Sequence, residues 1–146
     1  LIQNMIEIKK ILFSDKNEIQ KCFNIRREVF VDEQKCDPKD EYEFEEESTH
    51  YLLSNKNAPL ATARYRKTKN GIKMERFAVL KEERGKGYGL KILQQMILDL
   101  SCLKEIKYLH AQVQVVEFYE KVGFNKIGEK FDEVGIMHYK MILNNS

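Results

Sequence analysis

Three of the seven glycines in this chain occupy alternate positions of one short stretch, Arg84-Gly85-Lys86-Gly87-Tyr88-Gly89, and the apolar pattern changes across it. Before the stretch, Lys73 to Leu80 sets bulky and apolar residues in short alternation and reads as a strand. After it, Leu90, Leu93, Ile97 and Leu100, joined by Ile92 and Met96, recur at steps of three and four and read as a helix. Glycine lets backbone N–H groups come close to a ligand, and a helix start adds unpaired N–H groups and a positive dipole end. The expected guest is an anion, phosphate first, with Arg84 and Lys86 placed to add ionic contacts. The blander alternative is a tight turn that needed glycine, but three glycines with two interleaved cations exceed what one turn requires.

Two familiar phosphate loops fail the comparison. A P-loop ends in Gly-Lys-Ser/Thr, whereas Gly89 is followed by Leu90, which offers no hydroxyl for magnesium. A dinucleotide fingerprint needs its third glycine one place later and an acid at the far end of the next strand; Glu105 stands before that strand instead. The stretch does match Arg/Gln-x-x-Gly-x-Gly/Ala, and so resembles the pyrophosphate loop of the GNAT superfamily of acetyl-CoA-dependent N-acetyltransferases. Val79 stands where that family has its Ala-Val pair, and Phe118-Tyr119-Glu120-Lys121-Val122-Gly123-Phe124 is similar to its Phe-Tyr-Glu-Lys-x-Gly-Phe signature, at the family's spacing. Arg26-Arg27-Glu28-Val29-Phe30-Val31-Asp32-Glu33-Gln34 resembles the ElaA-like branch of bacteria.

A length of 146 residues predicts one domain, 1–146, with a real core. With 42% hydrophobic and 33% charged residues the chain reads as soluble and globular, and no apolar run approaches the ~18 residues of a membrane span. The start, Leu1-Ile2-Gln3-Asn4-Met5, lacks the pattern of a secretory signal, and Met5 could be the natural start. Cys22, Cys36 and Cys102 are odd in number and lack Cys-x-x-Cys spacing, so they read as reduced thiols in a cytoplasmic protein, with no metal site implied.

The net charge of +2 is unevenly placed. From Asp37 to Glu47 seven acids meet one base, Lys39, while the remainder carries 24 bases against 16 acids. That suits a polyanionic cofactor on one side and an acidic loop on another. The loop reads as a solvated surface segment; the sharper alternative is that some of its acids attract a cationic amine. Nucleic acid is not suggested, since no basic patch is interleaved with stacking aromatics.

In chain order, Met5 to Phe13 reads as the first strand, and Asp15 as the cap of a helix carrying Ile19, Cys22, Phe23, Val29 and Phe30. Arg26 and Arg27 stand at its end, where they read either as solvated cations or as part of the ElaA-like string. Thr49 to Leu53 and Pro59 to Lys67 form strands around an Asn55-Lys56-Asn57-Ala58 turn, with His50 as a strand-end polar residue. Asn70-Gly71 predicts a hairpin turn into the strand before the glycine loop. Tyr108 to Val113 is the next strand, parallel to its neighbour because a helix crosses between them. Val115, Phe118, Tyr119 and Val122 share a helical face ended by Gly123; Phe124 to Lys130 and Ile136 to Leu143 close the chain as an antiparallel pair. This order is that of the GNAT fold: an α/β (α+β) chain with a mixed central sheet of six to seven strands flanked by helices and splayed at the acetyl-CoA site.

The resemblance implies the chemistry. Acetyl-CoA would lay its pantetheine arm against the backbone of Phe77, Ala78 and Val79 and its pyrophosphate on the N–H groups of Arg84, Gly85, Lys86, Gly87, Tyr88 and Gly89. A neutral amine of a small molecule or protein then attacks the thioester directly, which requires a base, an oxyanion donor and an acid for the departing thiolate. The backbone N–H near Val79 resembles the oxyanion donor, and Tyr119 the acid, although periodicity alone makes Tyr119 a core aromatic. The base is open between Glu75 and His138, the latter within Glu133-Val134-Gly135-Ile136-Met137-His138-Tyr139-Lys140-Met141. That run is similar to the ElaA-like Gly-Ile-Pro-His-x-x-Met ending, with Met137 replacing proline. Gln112 stands where many GNAT proteins have Asn, and is placed to hydrogen-bond the cofactor or order water. The competing reading, from another class, is a non-catalytic acyl-CoA-binding module. Relatives commonly form homodimers, so a homodimer is a possible partner state.

Overall fold

The structure is a computed structural model and describes residues 5–144, with the backbone alone at Asp40 and Glu41. Residues 1–4, ahead of Met5, lie outside the described residues. Seven strands form one mixed sheet: β1 (Ile6–Ile11), β2 (Thr49–Asn55), β3 (Ala58–Thr68), β4 (Gly71–Val79), β5 (Lys107–Gln112), β6 (Phe124–Glu133) and β7 (Ile136–Leu143), in the order β1-β2-β3-β4-β5-β7-β6. Among the described residues four α-helices accompany them: α1 (Lys16–Arg26), α2 (Pro38–Glu41), α3 (Tyr88–Asp99) and α4 (Val116–Val122). The chain divides into two compact units, one containing the described chain up to Arg66 with Arg76–Leu103, the other Lys67–Glu75 with the chain from Lys104 onward.

In the first unit β1, β2 and β3 run antiparallel. Lys56 and Asn57, with φ of 50° and 69°, make the two-residue β2–β3 turn, both residues in the left-handed region that matches the twist of a hairpin. Asp15 caps α1, its carboxylate accepting the Glu18 N–H at 3.4 Å. Ile19, Cys22, Ile25 and Val29 face inward with Ile11, Leu52 and Ala78 to form the core, covered by Phe13, Phe23, Phe30 and Leu80. The helix does not end at Arg26. It widens into a π-helical segment, Arg27–Glu33, in which Gln34 N–H reaches back five residues to Val29 O at 3.1 Å. The sequence pattern could not distinguish this from α-helix, because both windings bring Val29 to the core.

In the second unit β5, β7 and β6 are antiparallel, and β5 is parallel to the first part of β4 through Ile72↔Lys107 and Lys73↔Tyr108. Gly71, at φ 130°, sits where a Cβ would collide with the Ile106 carbonyl, which accepts the Ile72 N–H at 2.7 Å. Gly123 ends α4 in the left-handed region, as its position in the sequence predicts. The β6–β7 register shifts between Ile127 and Phe131, around Gly128. Among the described residues no helix is long and apolar enough to cross a membrane.

Candidate active site

The glycine stretch lies in the first unit. β4 carries Arg76 at φ 59°, a conformation that costs an ordinary residue about 1 kcal/mol or more, just before Phe77, buried Ala78 and Val79. A single 3₁₀ turn, Lys81–Glu83, leads to Gly85 and Gly87, at φ 82° and 81°, where a Cβ would meet no atom within 4 Å. Gly87 is the N-cap of α3 and supplies no side-chain cap; the first intrahelical bond runs from Lys91 N–H to Gly87 O at 3.0 Å. The N–H groups of Tyr88, Gly89 and Leu90 therefore have no intrahelical acceptor, and they follow two glycines whose Cβ directions are open. This donor set fits an anion. Gly89 differs from the other two: its φ is ordinary, and a Cβ there would make a normal 3.7 Å contact with Val79 Cγ2.

The two cations of the loop are already engaged. Arg84 donates Nη1 and Nη2 to the two carboxylate oxygens of Glu33 at 2.7 and 2.8 Å, and its Nε to Val79 O at 3.0 Å. Lys86 pairs with Glu83 at 3.1 Å. Each partner raises the cation's pKa, and the Arg84 hydrogen bonds hold Glu33 below the usual carboxylate range.

The same unit holds a buried ionic cluster. Arg26 and Arg64, each 1% exposed at the side chain, both bond Glu45, Arg26 at 2.8 and 2.7 Å and Arg64 at 2.7 Å. Arg64 also donates to Glu43 O at 2.7 Å, and His50, fully buried, donates Nε2 to Glu45 O at 3.1 Å. Arg26 is thus not a solvated helix end, whereas Arg27 is exposed. Of the acidic stretch, Glu45 folds inward as a structural counter-ion while Glu43, Glu46 and Glu47 stay exposed.

In the second unit, strand alternation and register put a polar set on one sheet face. Gln112 pairs with His138 and His110 with Lys140 across β5 and β7, and Phe131 and Glu133 of β6 pair with His138 and Ile136. Glu133 bridges the two imidazoles: Oε1 is 3.0 Å from His110 Nδ1 and Oε2 is 3.5 Å from His138 Nε2. Phe131 meets His110 edge-on at 4.9 Å and stacks on His138 at 6.0 Å. Glu75 is buried and 3.4 Å from Lys73. Gln112 accepts a hydrogen bond from Gln114 at 2.6 Å. On α4, Tyr119 lies between Phe118 and Phe124, and burial pushes its phenol up to about 12, so it keeps its proton at neutral pH. Among the described residues no group of His, Cys, Asp and Glu is arranged to hold a metal ion.

The residues that carry Glu75, His138 and Gln112 therefore belong to one face, and the sequence reading missed two members of it, His110 and Glu133. The signal was present: His110 is two residues before Gln112 on the same strand, and so on the same side. Glu33 and Glu45 were missed because an ion partner 51 or 19 residues away leaves no local pattern.

A family model for the acetyltransferase (GNAT) domain matches residues 14–144. The chain belongs to the GNAT acetyltransferase family. An uncharacterized N-acetyltransferase of Bacillus subtilis, YjcF, is 34% identical over 140 residues, covering 92% of this chain and 99% of that protein. The crystal structure of Escherichia coli ElaA matches with a TM-score of 0.85 at 24% identity, covering 96% and 100% of the two chains, and the likeness is to an ElaA-like GNAT fold. A GNAT family acetyltransferase from Elizabethkingia anophelis, solved with acetyl-CoA bound, matches with a TM-score of 0.66 at 15% identity over 96% of each chain. The chain is accordingly an acyltransferase of a family that uses acetyl-CoA, and its seven-stranded mixed sheet with flanking helices is the fold expected of that family.

Proposed function

We propose that this acetyltransferase moves the acetyl group of acetyl-CoA to a primary amine of a small molecule or protein, by direct attack of the amine. Residues 1–146 form one catalytic domain in this reading, which acts in the cytoplasm with its three thiols reduced; a homodimer, common among relatives, is one candidate assembly, and the oligomeric state is open. The observation that carries it is the start of α3: left-handed Gly87 as N-cap, N–H donors of Tyr88, Gly89 and Leu90 without intrahelical acceptors, and open space over Gly85 and Gly87.

The pyrophosphate would be held by N–H groups of the loop, residues 84–89, together with that of Leu90 at the helix start, with Lys86 alongside. Arg84 would act mainly as a brace, since Glu33 and Val79 O already take its donors. Phe77, Ala78 and Val79 would offer strand backbone to the pantetheine amides, and Gln112 a carboxamide. Acetyl-CoA supplies the activated thioester. Tyr119, protonated at neutral pH, would give its proton to the departing thiolate, a gain that is mainly positional because a phenol is the weaker acid. Glu75 and His138 would face the acceptor amine from β4 and β7.

A thermal melt with acetyl-CoA, free CoA, ATP and NAD at equal concentration tests this. A ligand at a hundred times its dissociation constant adds ~2.7 kcal/mol, worth several degrees for a chain of this size. A rise with acetyl-CoA and CoA alone supports the reading, and release of CoA thiol on adding amines completes it. No rise with either removes it. A rise without any amine-dependent thiol release turns the protein into an acyl-CoA-binding module.

A further inference from the structure

We propose that His110, oriented by Glu133, is the base that takes the proton from the acceptor's ammonium group; this rests on the acetyltransfer reading above and names the atom that performs one of its steps. The geometry is that of an imidazole held by a carboxylate. Glu133 Oε1 lies 3.0 Å from His110 Nδ1, and an ionised carboxylate only accepts, so Nδ1 carries a proton. In the neutral ring the lone pair is then on Nε2. That nitrogen has no hydrogen-bond partner among the described residues, and the side chain is 22% exposed.

The other two histidines lack this combination. His138 donates Nδ1 to Ile136 O at 2.8 Å and turns Nε2 toward Glu133, so both of its nitrogens face protein acceptors. His50 is fully buried in the other unit. Glu75 is buried against Lys73. His138 instead closes the group from the far side of Glu133, and Phe131 packs against both rings and fixes their planes. Glu133 remains ionised because its hydrogen bond with His110, then the charges of Lys73, His110 and His138, outweigh its burial. The titratable and charged groups on His110's face are Lys73 and Glu75 of β4, Tyr108 of β5, Glu133 of β6, and His138 and Lys140 of β7.

In the step itself, one N–H bond of the ammonium breaks, its electron pair stays on nitrogen, and the proton bonds to Nε2 of His110. The products are a neutral amine able to attack and an imidazolium whose charge Glu133 opposes; the imidazolium gives its proton to solvent before the next turnover. An imidazole so oriented is the arrangement general bases use elsewhere, and such groups contribute about 100- to 10,000-fold to rate.

Two measurements on the full chain decide it. Long-range ¹H–¹⁵N spectra report which nitrogen of each imidazole is protonated: neutral His110 is expected as the Nδ1–H form with bare Nε2, changing to Nε2–H in Glu133→Gln. An Nε2–H ring in the wild-type chain overturns the assignment regardless of activity. CoA release is then followed from pH 6 to 9 with spermidine, benzylamine and a lysine peptide as probe amines. His110→Gln should lower kcat at least about 100-fold with little change in KM for acetyl-CoA, and erase the fall in rate at the acid end; an unchanged acid limb overturns the proposal. Acetyl-CoA that neither shifts the melt nor is consumed overturns the acetyltransfer reading instead, and the imidazole spectra still report on the dyad by themselves.

Discussion

Arg84 reaches from the glycine loop to Glu33 at the end of the π-helical segment, with both guanidinium Nη atoms on both carboxylate oxygens at 2.7 and 2.8 Å, and its Nε on the carbonyl of Val79. One side chain therefore ties the end of β4, the loop and the segment that follows α1. The widened winding of Arg27–Glu33 is what brings Glu33 round to the loop rather than leaving it on a continuing α-helix face. The carboxylate also puts a negative charge beside the proposed pyrophosphate site. Glu33→Gln removes that charge and leaves one acceptor oxygen in place of two, freeing one guanidinium donor, so acetyl-CoA should bind about two- to fivefold tighter at low ionic strength, the gain disappearing in high salt. Calorimetric titration at two salt concentrations checks this; a loss of affinity would mean that the brace matters more than the charge.

The contrast between Glu33 and the glycines shows where the sequence was informative. Gly85, Gly87, the strand before and the helix after could be read directly, because strand alternation, helical spacing and turn glycine are local properties of the chain. The order of elements and the parallel β4–β5 crossover followed from the same signals. Glu45, Glu33, Glu133 and His110 were not assigned a role, although Glu33, Glu45 and Glu133 lie within stretches that were singled out. Their roles depend on partners brought close by the sheet: Glu45 looked like one acid among seven until Arg26 and Arg64 closed on it. Tyr119 sits between the cases, since its helical face was legible while its chemistry came from the resemblance.

Gly87 and Gly89 should respond differently to alanine. At Gly87 the left-handed φ of 81° penalises any Cβ by about 1–2 kcal/mol, and relief of that strain would rotate the N–H donors at the start of α3. At Gly89 the backbone is ordinary and the added methyl makes only a 3.7 Å contact with Val79. Gly87→Ala is therefore expected to weaken acetyl-CoA binding about tenfold or more, and Gly89→Ala to leave it within about twofold. Equal losses at both positions would place the anion away from the helix start.

Glu45 is the carboxylate that Arg26 and Arg64 share, so Glu45→Gln should destabilise the chain by about 3–5 kcal/mol in urea unfolding, the usual result of leaving buried guanidinium charge uncompensated. The cluster also sets a pH dependence. Burial pushes the His50 pKa down, against the pull of Glu45, so the unfolded chain takes up a proton near pH 6.5 that the folded chain resists. Stability should begin to fall as pH drops below about 6.5. A second loss follows below about 4.5, where the unfolded carboxylate protonates while folded Glu45, held down by Arg26 and Arg64 despite burial, does not. His50→Gln should flatten the first decline and leave the second, as read from melting temperature between pH 4 and 8.

Tyr119 offers the cleanest separation of binding from chemistry. Its ring packs between Phe118 and Phe124, and phenylalanine preserves those contacts while removing the hydroxyl. Since burial alone raises its pKa to about 12, the hydroxyl is a donor throughout the working range and does not ionise to confuse the result. Tyr119→Phe should lower kcat by about 10- to 1,000-fold, with the melting temperature and the acetyl-CoA dissociation constant almost unchanged. The leaving thiolate then has to take its proton from water, so the deficit should shrink with an acyl donor whose thiol is more acidic than that of CoA. A collapse of acetyl-CoA affinity, or a deficit that does not depend on the leaving thiol, would make Tyr119 part of the packing of α4 and not the acid.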